Sequence, residues 1–407
     1  MQEAESRAER FSPWKLVIMA FRIDGVRIFD GHDLTDATAR IDVAEGRVRD
    51  AGADAPPHVL DFSQMPGATL LPGLIDSHMH FAISGADQTE KADPAAMVAL
   101  RMAHAATINL RAGVTTVRDM GAKEHIDVNF RRATRMGLIP SPRYLVAGRP
   151  IIATGGHCTY MGRQVDGPDE ARKATREQLT VGVDWVKMMV TGGIMTLGTD
   201  PRTQQLFDDE VAAVIDTAHA AGVPVAAHCQ GGPAVAATVR AGVDSIEHGM
   251  WLDDESIQLM LDHDTAYVPT LSAFHLIAEG APVAGVRPPD WAIAKAKAAV
   301  EAHRVSFPKA VEAGVRIVAG TDYVHGSLPF EMGLMADWGM PPVEVLRSAT
   351  SRAAELLRLP DVGTVADGKV ADLVVVRGDP VADLGVLKDP LLVVRAGEVV
   401  YQEPSIA

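Results

Sequence analysis

A short unit recurs five times along this chain: a helix-like run, the dipeptide Gly-Val, a few β-forming residues, and a side chain able to bind metal or move a proton. Glycine ends helices readily because it adopts the left-handed conformation, and a buried parallel strand then reads as a short apolar run. The unit therefore predicts alternating helices and strands, which is typical of a parallel sheet covered by helices. The five instances begin at Gly113, Gly182, Gly222, Gly242 and Gly314 and lead to Asp119, Lys187, His228, His248 and Asp322.

Eight β-rich segments predict an α/β fold in which a parallel sheet closes into a (β/α)8 barrel of the TIM type, with catalytic residues at the carboxyl ends of the strands. The predicted strands are Leu70–Ile75, Val114–Val117, Arg143–Val146, Val183–Val190, Val223–Ala227, Val243–Ile246, Ala266–Leu271 and Val315–Ala319. The predicted helices are Pro94–Arg111, Asp169–Val181, Asp208–Ala221, Pro233–Ala241, Asp254–His263, Trp291–Ala313 and Pro342–Leu357.

The two ends of the chain show a different pattern. From Val17 to about Leu60, and again after Gly368, short β-rich pieces alternate with tight-turn signals such as Asp-Gly and Glu-Gly. Neither end can close a core alone, so we expect them to pair in a small β-sandwich beside the barrel. The predicted domains are residues 1–69 and 359–407 for the two parts of the sandwich and 70–358 for the barrel.

Composition narrows the possible partners. A net charge of −15 and a pI near 5.4 argue against binding to nucleic acid. No segment approaches the roughly 20 apolar residues of a membrane span, and the first residues do not resemble a signal peptide. We therefore expect a cytoplasmic homo-oligomer acting on a small molecule, without a nucleic-acid or membrane partner. Cys158 and Cys229 are expected to be free thiols.

Two histidines follow the first predicted barrel strand. In a strand, alternate side chains share a face, so His78 and His80 point to the same side and can chelate an ion such as zinc. Histidine pairs also occur as hydrogen-bonded core or surface residues, but His228 and His248 at later strand ends favour the metal site. Asp322 can be a ligand or a proton acceptor there, or simply a helix N-cap.

Lys187 lies among apolar neighbours in a predicted strand. Burial lowers the pKa of an amine, and a neutral amine can take up carbon dioxide to form a carbamate able to bridge two cations. The structural alternative is an ammonium paired with an acid such as Glu247.

The order and spacing of these residues resemble the amidohydrolase superfamily, in its binuclear type with a carboxylated lysine. The resemblance extends to the segments 71–80, 154–157, 349–357 and 363–373, and covers nearly the whole chain. Within the superfamily the chain is similar to the imidazolonepropionase-like branch. That branch contains zinc dipeptidases that cleave prolyl or basic dipeptides and hydrolases of N-acyl amino acids such as ochratoxin.

The resemblance implies two divalent ions, zinc above all, with N6-carboxylated Lys187 spanning both. It assigns His78, His80 and Asp322 to one ion and His228 and His248 to the other. A bridging hydroxide would attack the carbonyl while Asp322 takes and returns the proton. The predicted reaction is hydrolysis of an amide bond in a dipeptide or N-acyl amino acid, including ochratoxin-like aryl amides. Hydrolysis of a cyclic amide or imidazolone, or metal-dependent decarboxylation, stays open.

Four further residues are candidates for substrate binding. His157, in a glycine-rich loop, can stabilise the developing oxyanion, or it can be a loop histidine bonded to backbone. Gln230 stands where related peptidases often carry tyrosine, which puts recognition of a substrate carboxylate in doubt. Tyr323 and His325 follow Asp322 and are expected either in the pocket or on the surface. Asp119 is interpreted as structural, and a methionine-lined pocket is weighed against ordinary packing.

Overall fold

The computed structural model describes residues 20–83, 91–282 and 286–404. Part of the predicted N-terminal β segment, residues 17–19, lies outside these ranges. The strands are β1 (Ala20–Ile28), β2 (Ala39–Ala44), β3 (Arg47–Asp50), β4 (His58–Asp61), β5 (Thr69–Pro72), β6 (Leu74–Met79), β7 (Val114–Asp119), β8 (Arg143–Val146), β9 (Ile151–Ala153), β10 (Arg163–Val165), β11 (Val186–Met189), β12 (Val225–Gly231), β13 (Ser245–Trp251), β14 (Ala266–Val268), β15 (Leu373–Val376), β16 (Leu392–Arg395) and β17 (Glu398–Gln402).

The α-helices alternate with strands through the middle of the chain, which makes the fold mixed α/β. They are α1 (Ala95–Arg111), α2 (Ile126–Arg135), α3 (Pro168–Val181), α4 (Asp208–His219), α5 (Pro233–Arg240), α6 (Asp254–Asp262), α7 (Leu271–Glu279), α8 (Asp290–Ala313), α9 (Leu328–Asp337), α10 (Pro342–Ser348) and α11 (Ser351–Leu356). The single helix predicted for 342–357 is thus two helices, because the backbone at Thr350 is not helical (φ −135°, ψ −102°). Among the described helices, none combines the length and apolar character needed to cross a bilayer.

The two ends of the chain pair in one eight-stranded sheet, in the order β17-β16-β15-β5-β1-β2-β3, with β4 beside β1. Because side chains alternate along a strand, Leu70 and Val375 pack in one apolar cluster while Leu71 and Val374 join the main core. The sheet is therefore attached to the α/β part through an apolar face. The pairing of the ends is observed, whereas the predicted two-layered sandwich is not confirmed and the domain boundaries stay a prediction.

The first predicted barrel strand, Leu70–Ile75, is in fact two strands. β5 belongs to the terminal sheet, and β6 begins the parallel part of the molecule. They separate at Gly73, where a Cβ would lie 2.1 Å from the Oγ1 of Thr115. Glycine is required by this close approach. The continuous apolar run around it conceals the change of sheet from sequence analysis.

The parallel strands form a six-stranded sheet in the order β10-β9-β11-β12-β13-β14 and a three-stranded sheet in the order β6-β7-β8. The predicted strand Val315–Ala319 is not regular in the structure. It forms an isolated bridge between Ile317 and Tyr267, and the chain then bridges Asp322 to Met79. Just beyond this segment the chain passes close to β6: a Cβ on Gly320 would lie 2.8 Å from the His78 Cβ, so glycine is required there. No continuous eight-stranded ladder closes within the described residues.

Candidate metal centre

Four histidines at or near the ends of three parallel strands lie side by side. His78 is near the end of β6 with His80 just beyond that strand, His228 lies in β12, and His248 lies in β13, the neighbour of β12. All four side chains are buried. The ring centroids of His78 and His248 are 5.0 Å apart, and those of His228 and His248 are 4.6 Å apart. The structure thus brings together imidazoles that are separated by up to 170 residues in sequence.

The hydrogen bonds of His78 and His80 determine which nitrogen of each ring faces the centre. Nδ1 of His78 donates to Oε2 of Glu247 at 2.6 Å, and Nδ1 of His80 donates to the Gly121 carbonyl at 2.9 Å. Both Nε2 atoms lie 3.7 Å from Oδ1 of Asp322. Such bonds to the distal nitrogen are typical of metal-binding histidines, because they fix the tautomer and orient the ring.

His228 and His248 are oriented in the same way, with one difference. The Thr270 hydroxyl donates to the Pro269 carbonyl, so Nδ1 of His248 donates to Oγ1 of Thr270 at 2.7 Å and leaves Nε2 for an ion. In His228 it is Nε2 that donates, to the Gly192 carbonyl at 3.0 Å. His228 therefore offers Nδ1 as its metal-binding nitrogen, and the other three histidines offer Nε2.

Asp322 faces this group of histidines from the irregular segment that lies, in space, between β14 and β6. Its backbone N–H donates to the His78 carbonyl, and its carbonyl accepts from the His80 N–H, each at 2.7 Å. One ligand atom each from His78, His248 and Asp322 lie within 4.8 Å of one another, a group that can hold a metal ion. Burial raises the pKa of Asp322 to about 7, an effect that the nearby Lys187 opposes.

Lys187, in β11, is buried, and its Nζ has no hydrogen-bond partner in the part of the chain that the structure describes. Removal from water lowers the pKa of this amine to about 8. The alternative partner considered from the sequence, Glu247, is already bonded by Arg118 at 2.9 Å, Ser245 at 2.5 Å and His78. The structure therefore does not support a Lys187–Glu247 ion pair. An unpartnered buried amine is costly and calls for a ligand or a modification.

The donor set fits a divalent metal of the zinc type. Imidazole nitrogens and carboxylate oxygens are the ligands zinc accepts from histidine and aspartate, and four imidazoles with one carboxylate exceed what a single tetrahedral ion uses. The unpartnered amine of Lys187 lies in the same cavity wall as all five of these side chains.

Three residues around this centre have a left-handed backbone although none is glycine. The φ angles are 76° at His248, 52° at Thr270 and 67° at Asp322. Non-glycine residues in this region are uncommon and cluster at functional sites, where the surrounding structure holds them. At His248 the conformation interrupts strand alternation. As a result, the adjacent side chains of Glu247 and His248 both reach the metal-binding group.

The buried pair Arg118 and Glu247 supports the centre from below, and sequence analysis missed it. The guanidinium of Arg118 lies 4.4 Å from the centroid of the Trp185 ring and donates to Glu247, which in turn holds His78. The sequence did contain an indication of this pair. Arg118 and Glu247 are charged residues within the predominantly apolar strands β7 and β13. Nothing in the sequence predicts the left-handed backbone conformation of Thr270.

A cavity opens onto the centre. All six predicted ligands line it, together with His157, Gln230 and Tyr323. The buried Oε1 of Gln230 and the hydroxyl of Tyr323 have no hydrogen-bond partner among the described residues. Most of the remaining wall is apolar, and three methionines contribute to it. The apolar residues are Ile83, Met161, Met189, Ile194, Met195, Phe274 and Ile277.

His157 is held in the cavity wall by its neighbours. Its Nδ1 lies 2.7 Å from Oγ1 of Thr196, and its ring centroid is 4.6 Å from that of His228. A Cβ on Gly193 would lie 2.3 Å from Cε1 of His157, so only glycine fits beside the ring. The loop 193–199 therefore fixes the position of His157.

His325 and Asp119 lie outside the cavity lining. Nε2 of His325 donates to the Ile83 carbonyl at 3.0 Å, and its ring packs edge-on against Phe81 at 5.7 Å. His325 thus packs behind Ile83, which lines the cavity, and does not itself line it. Asp119 accepts from the backbone N–H groups of Phe81 and Gly121 at 2.9 Å each, so it positions the carbonyl that binds His80. This is the structural role expected for Asp119.

Comparison with known proteins agrees with this geometry. Residues 69–400 match the model of the amidohydrolase family. The chain belongs to that family. This amidohydrolase is accordingly a hydrolase acting on carbon–nitrogen bonds, of a family that typically binds metal ions.

Three similar proteins illustrate the family resemblance. An ochratoxinase from Aspergillus niger is 28% identical over 378 residues, which cover 83% of this chain and 76% of that protein. An imidazolonepropionase from Salinispora tropica is 25% identical over 347 residues, covering 76% and 77%. A crystal structure of a Xaa-Pro dipeptidase with methionine bound in its active site superimposes with a TM-score of 0.86 at 30% identity, covering 94% of this chain and 100% of that one. The family and branch indicated by the sequence motifs are confirmed.

Proposed function

We propose that this chain is a binuclear metal-dependent amidohydrolase that hydrolyses the amide bond of a dipeptide or an N-acyl amino acid. One observation carries the proposal: the buried amine of Lys187 has no hydrogen-bond partner within residues 20–83, 91–282 and 286–404, and it lines one cavity with four oriented imidazoles and the Asp322 carboxylate. That combination has no structural use of its own, because each buried polar group costs free energy unless it is bonded.

We propose further that the parallel strands close into a (β/α)8 barrel. Hydrogen bonds across both gaps between the two sheets support closure. On one side the Val318 N–H donates to the Tyr267 carbonyl at 2.9 Å and Thr321 to His78 at 3.0 Å. On the other, Asp184 donates to the Val146 carbonyl at 2.9 Å. The ligands then lie at the carboxyl ends of the strands, where barrel enzymes place their active sites.

In the proposed assignment one ion is held by His78, His80 and Asp322, and the other by His228 and His248. Carboxylated Lys187 would serve as a ligand of both, and the lowered pKa of this amine supports carboxylation because the neutral amine is the reactive form. Two such ions, which we propose to be zinc, would supply a water of lowered pKa and polarise the carbonyl group.

The chain's own groups perform the proton transfers. A carboxyl group with a pKa of about 7 is suited to accept the proton of the attacking water and to return it to the leaving amine, which is the role we assign to Asp322. His157, beside His228 in the wall, is assigned to the carbonyl oxygen as a hydrogen-bond donor. Such a donor stabilises the charge that develops during attack.

The cavity wall supports an apolar substrate group. Its only basic side chains among the described residues are Lys187 and the histidines, and no arginine lines it. A bulky acyl group or apolar side chain would pack against Phe274 and the methionines, which adapt to irregular shapes. The names of the similar ochratoxinase and Xaa-Pro dipeptidase are consistent with this substrate class.

The test is a turnover screen of zinc-loaded protein with prolyl and apolar dipeptides, N-acyl amino acids, aryl amides and cyclic amides, with released amines measured directly. We expect linear amides with an apolar group to be hydrolysed fastest. Turnover of cyclic substrates alone would select the imidazolone-type alternative, to which the similar imidazolonepropionase points. Release of carbon dioxide from the substrate without a new amine would select decarboxylation and refute amide hydrolysis.

A further inference from the structure

A second cavity lies at the opposite ends of the same strands. It has a volume of about 480 Å³. The residues that line it include the first residue of β8 and the residues immediately before β11 and β12. Pro224, in this lining, precedes His228 by four residues, which corresponds to about 13 Å along a strand. The second cavity is therefore separate from the metal centre. Five arginines line it: Arg131, Arg135, Arg143, Arg358 and Arg395.

Three of these arginines have carboxylate partners. Arg131 pairs with Asp184 at 2.5 Å, Arg358 with Asp244 at 3.2 Å, and Arg143 with Asp372. Of the three acids only Asp184 itself lines the cavity.

Arg135 and Arg395 form no ion pair with any residue in the described part of the chain. The Nε atom of Arg395 is buried and has no hydrogen-bond partner among the described residues. Two carboxylates, Asp372 and Glu398, favour its charge from nearby, but Asp372 is already bonded by Arg143 and by the Ala396 N–H. Burial lowers the pKa of Arg395, and the neighbouring Arg143 lowers it further. Arg135 and Arg395 are thus two cations without a direct ion-pair partner among the described residues, and Arg395 is largely removed from water.

A cavity lined by five arginines and a single acid, Asp184, is unexpected in this protein, whose net charge is −15. Guanidinium groups present planar pairs of donors that match carboxylate and phosphate oxygens. The rest of the wall includes apolar surface from Leu145, Leu357 and Leu359. A ligand with a charged end and an apolar end is complementary to such a surface.

We propose that this cavity binds a small, doubly charged anion, a phosphate monoester or a dicarboxylate, through Arg135 and Arg395. The anion accepts from the unpartnered Nε of Arg395 and adds negative charge beside the two arginines that form no direct ion pair among the described residues. The site is independent of the chemistry at the metal centre, and the protein would bind its ligand whether or not the proposed hydrolysis is correct.

The test is isothermal titration calorimetry of the metal-loaded protein with inorganic phosphate and with succinate, at constant ionic strength. R395Q and R135Q are compared with R132Q, which removes an exposed arginine of the same helix, α2, outside the cavity. Each cavity variant is expected to weaken the binding affinity by at least about tenfold, because it loses one charge-assisted hydrogen bond to the anion. R132Q is expected to match the parent protein.

The outcomes are separable. Phosphate bound at the metal centre persists in both cavity variants, so only the affinity that R135Q and R395Q remove counts for the proposal. A preference for phosphate or for succinate identifies which kind of anion the site takes. Three outcomes would overturn the proposal. They are saturable binding that neither variant changes, an equal loss of affinity in R132Q, and no saturable binding of either phosphate or succinate. R135Q keeps the test valid if R395Q fails to fold, because Arg135 is exposed.

Discussion

The two ends of the parallel strands contain the same left-handed backbone in different residues. Toward the amino ends, the chain reverses at glycines, such as Gly182, Gly222 and Gly314, with φ between 73° and 82°. Toward the carboxyl ends, His248, Thr270 and Asp322 adopt φ between 52° and 76°. For a non-glycine residue this conformation costs about 1–2 kcal/mol.

The difference shows where side chains are indispensable. At Gly182, Gly222 and Gly314 glycine avoids the strain because no side chain is needed there, although Asp264, before β14, is left-handed without being glycine (φ 53°). At the carboxyl ends a ligand or its hydrogen-bond partner must occupy the position, so the strain is retained and the surrounding contacts hold it. The following predictions test this contrast between the ends.

The largest effect is expected for Lys187→Ala. It removes the group proposed to contact both ions. We expect the rate of amide hydrolysis to fall by about 10³-fold or more, because catalytic residues that act as one unit lose most of their effect when one of them is removed. Metal content, measured by plasma mass spectrometry, should also fall. Short carboxylic acids such as propionate are expected to restore part of the activity. The control is Lys388→Ala, on the surface, and full activity in Lys187→Ala would contradict the proposed bridge.

Glu247→Gln is expected to weaken two properties at once. It removes the negative charge facing His78, which should lower metal affinity about 10–100-fold in chelator competition. It also leaves Arg118 buried without a counterion, which should cost about 3 kcal/mol of unfolding free energy in urea. Adding Arg118→Met should recover stability but not metal affinity. Recovery of both would show that Glu247 serves the fold alone.

Lys295→Met tests the support of His157. The Lys295 ammonium donates to the carbonyls of Gly193, Thr196 and Thr199 at 3.3, 2.8 and 2.5 Å, and so ties down the loop that fixes His157. We expect kcat/KM to fall about tenfold, the scale of a lost charged hydrogen bond, with metal content unchanged.

The matched control is Lys297→Met, an exposed lysine two residues further along the same helix. It should leave kcat/KM at the parent value. An equal loss in both variants would mean that the helix, and not the contact with the loop, is responsible.

The smallest effect is expected at the amino ends. Gly314→Ala places a side chain at φ 82° with nothing within 4 Å, so the cost is backbone strain alone, about 1 kcal/mol. Gly333→Ala, in the interior of α9, should instead stabilise by about 0.5–1 kcal/mol. Urea unfolding measures both, and activity per folded molecule should not change in either. Identical signs would refute the assignment of strain.

The strands that carry Lys187, His228 and His248 could be predicted from the sequence because each follows a Gly-Val break, whereas His78 and His80 follow the segment Leu-Pro-Gly-Leu-Ile without one. The Gly-Val unit marks where a strand begins, and strand length then places the polar residue at the other end. This reasoning located Lys187, His228 and His248 in β11, β12 and β13 without any knowledge of distant contacts.

The features that were missed depend on contacts between distant segments. The change of sheet at Gly73 follows from its approach to Thr115, which no local pattern reveals. The close passage of Gly320 beside His78 is likewise a contact between distant segments. His325 was expected near the substrate as a neighbour of Asp322, but the left-handed turn at Asp322 redirects the chain toward Ile83. Oligomeric state and cellular location stay predictions.

The pairing of β5 with β15 links the start of the metal site to the last tenth of the chain. During synthesis β5 and the adjoining β6 leave the ribosome about 300 residues before Leu373–Val376, and until then one edge of β5 is open. An open edge strand is a template for aggregation. Nascent chains therefore pass through a long interval in which shielding by a chaperone matters, and a premature stop before residue 373 leaves that edge permanently exposed.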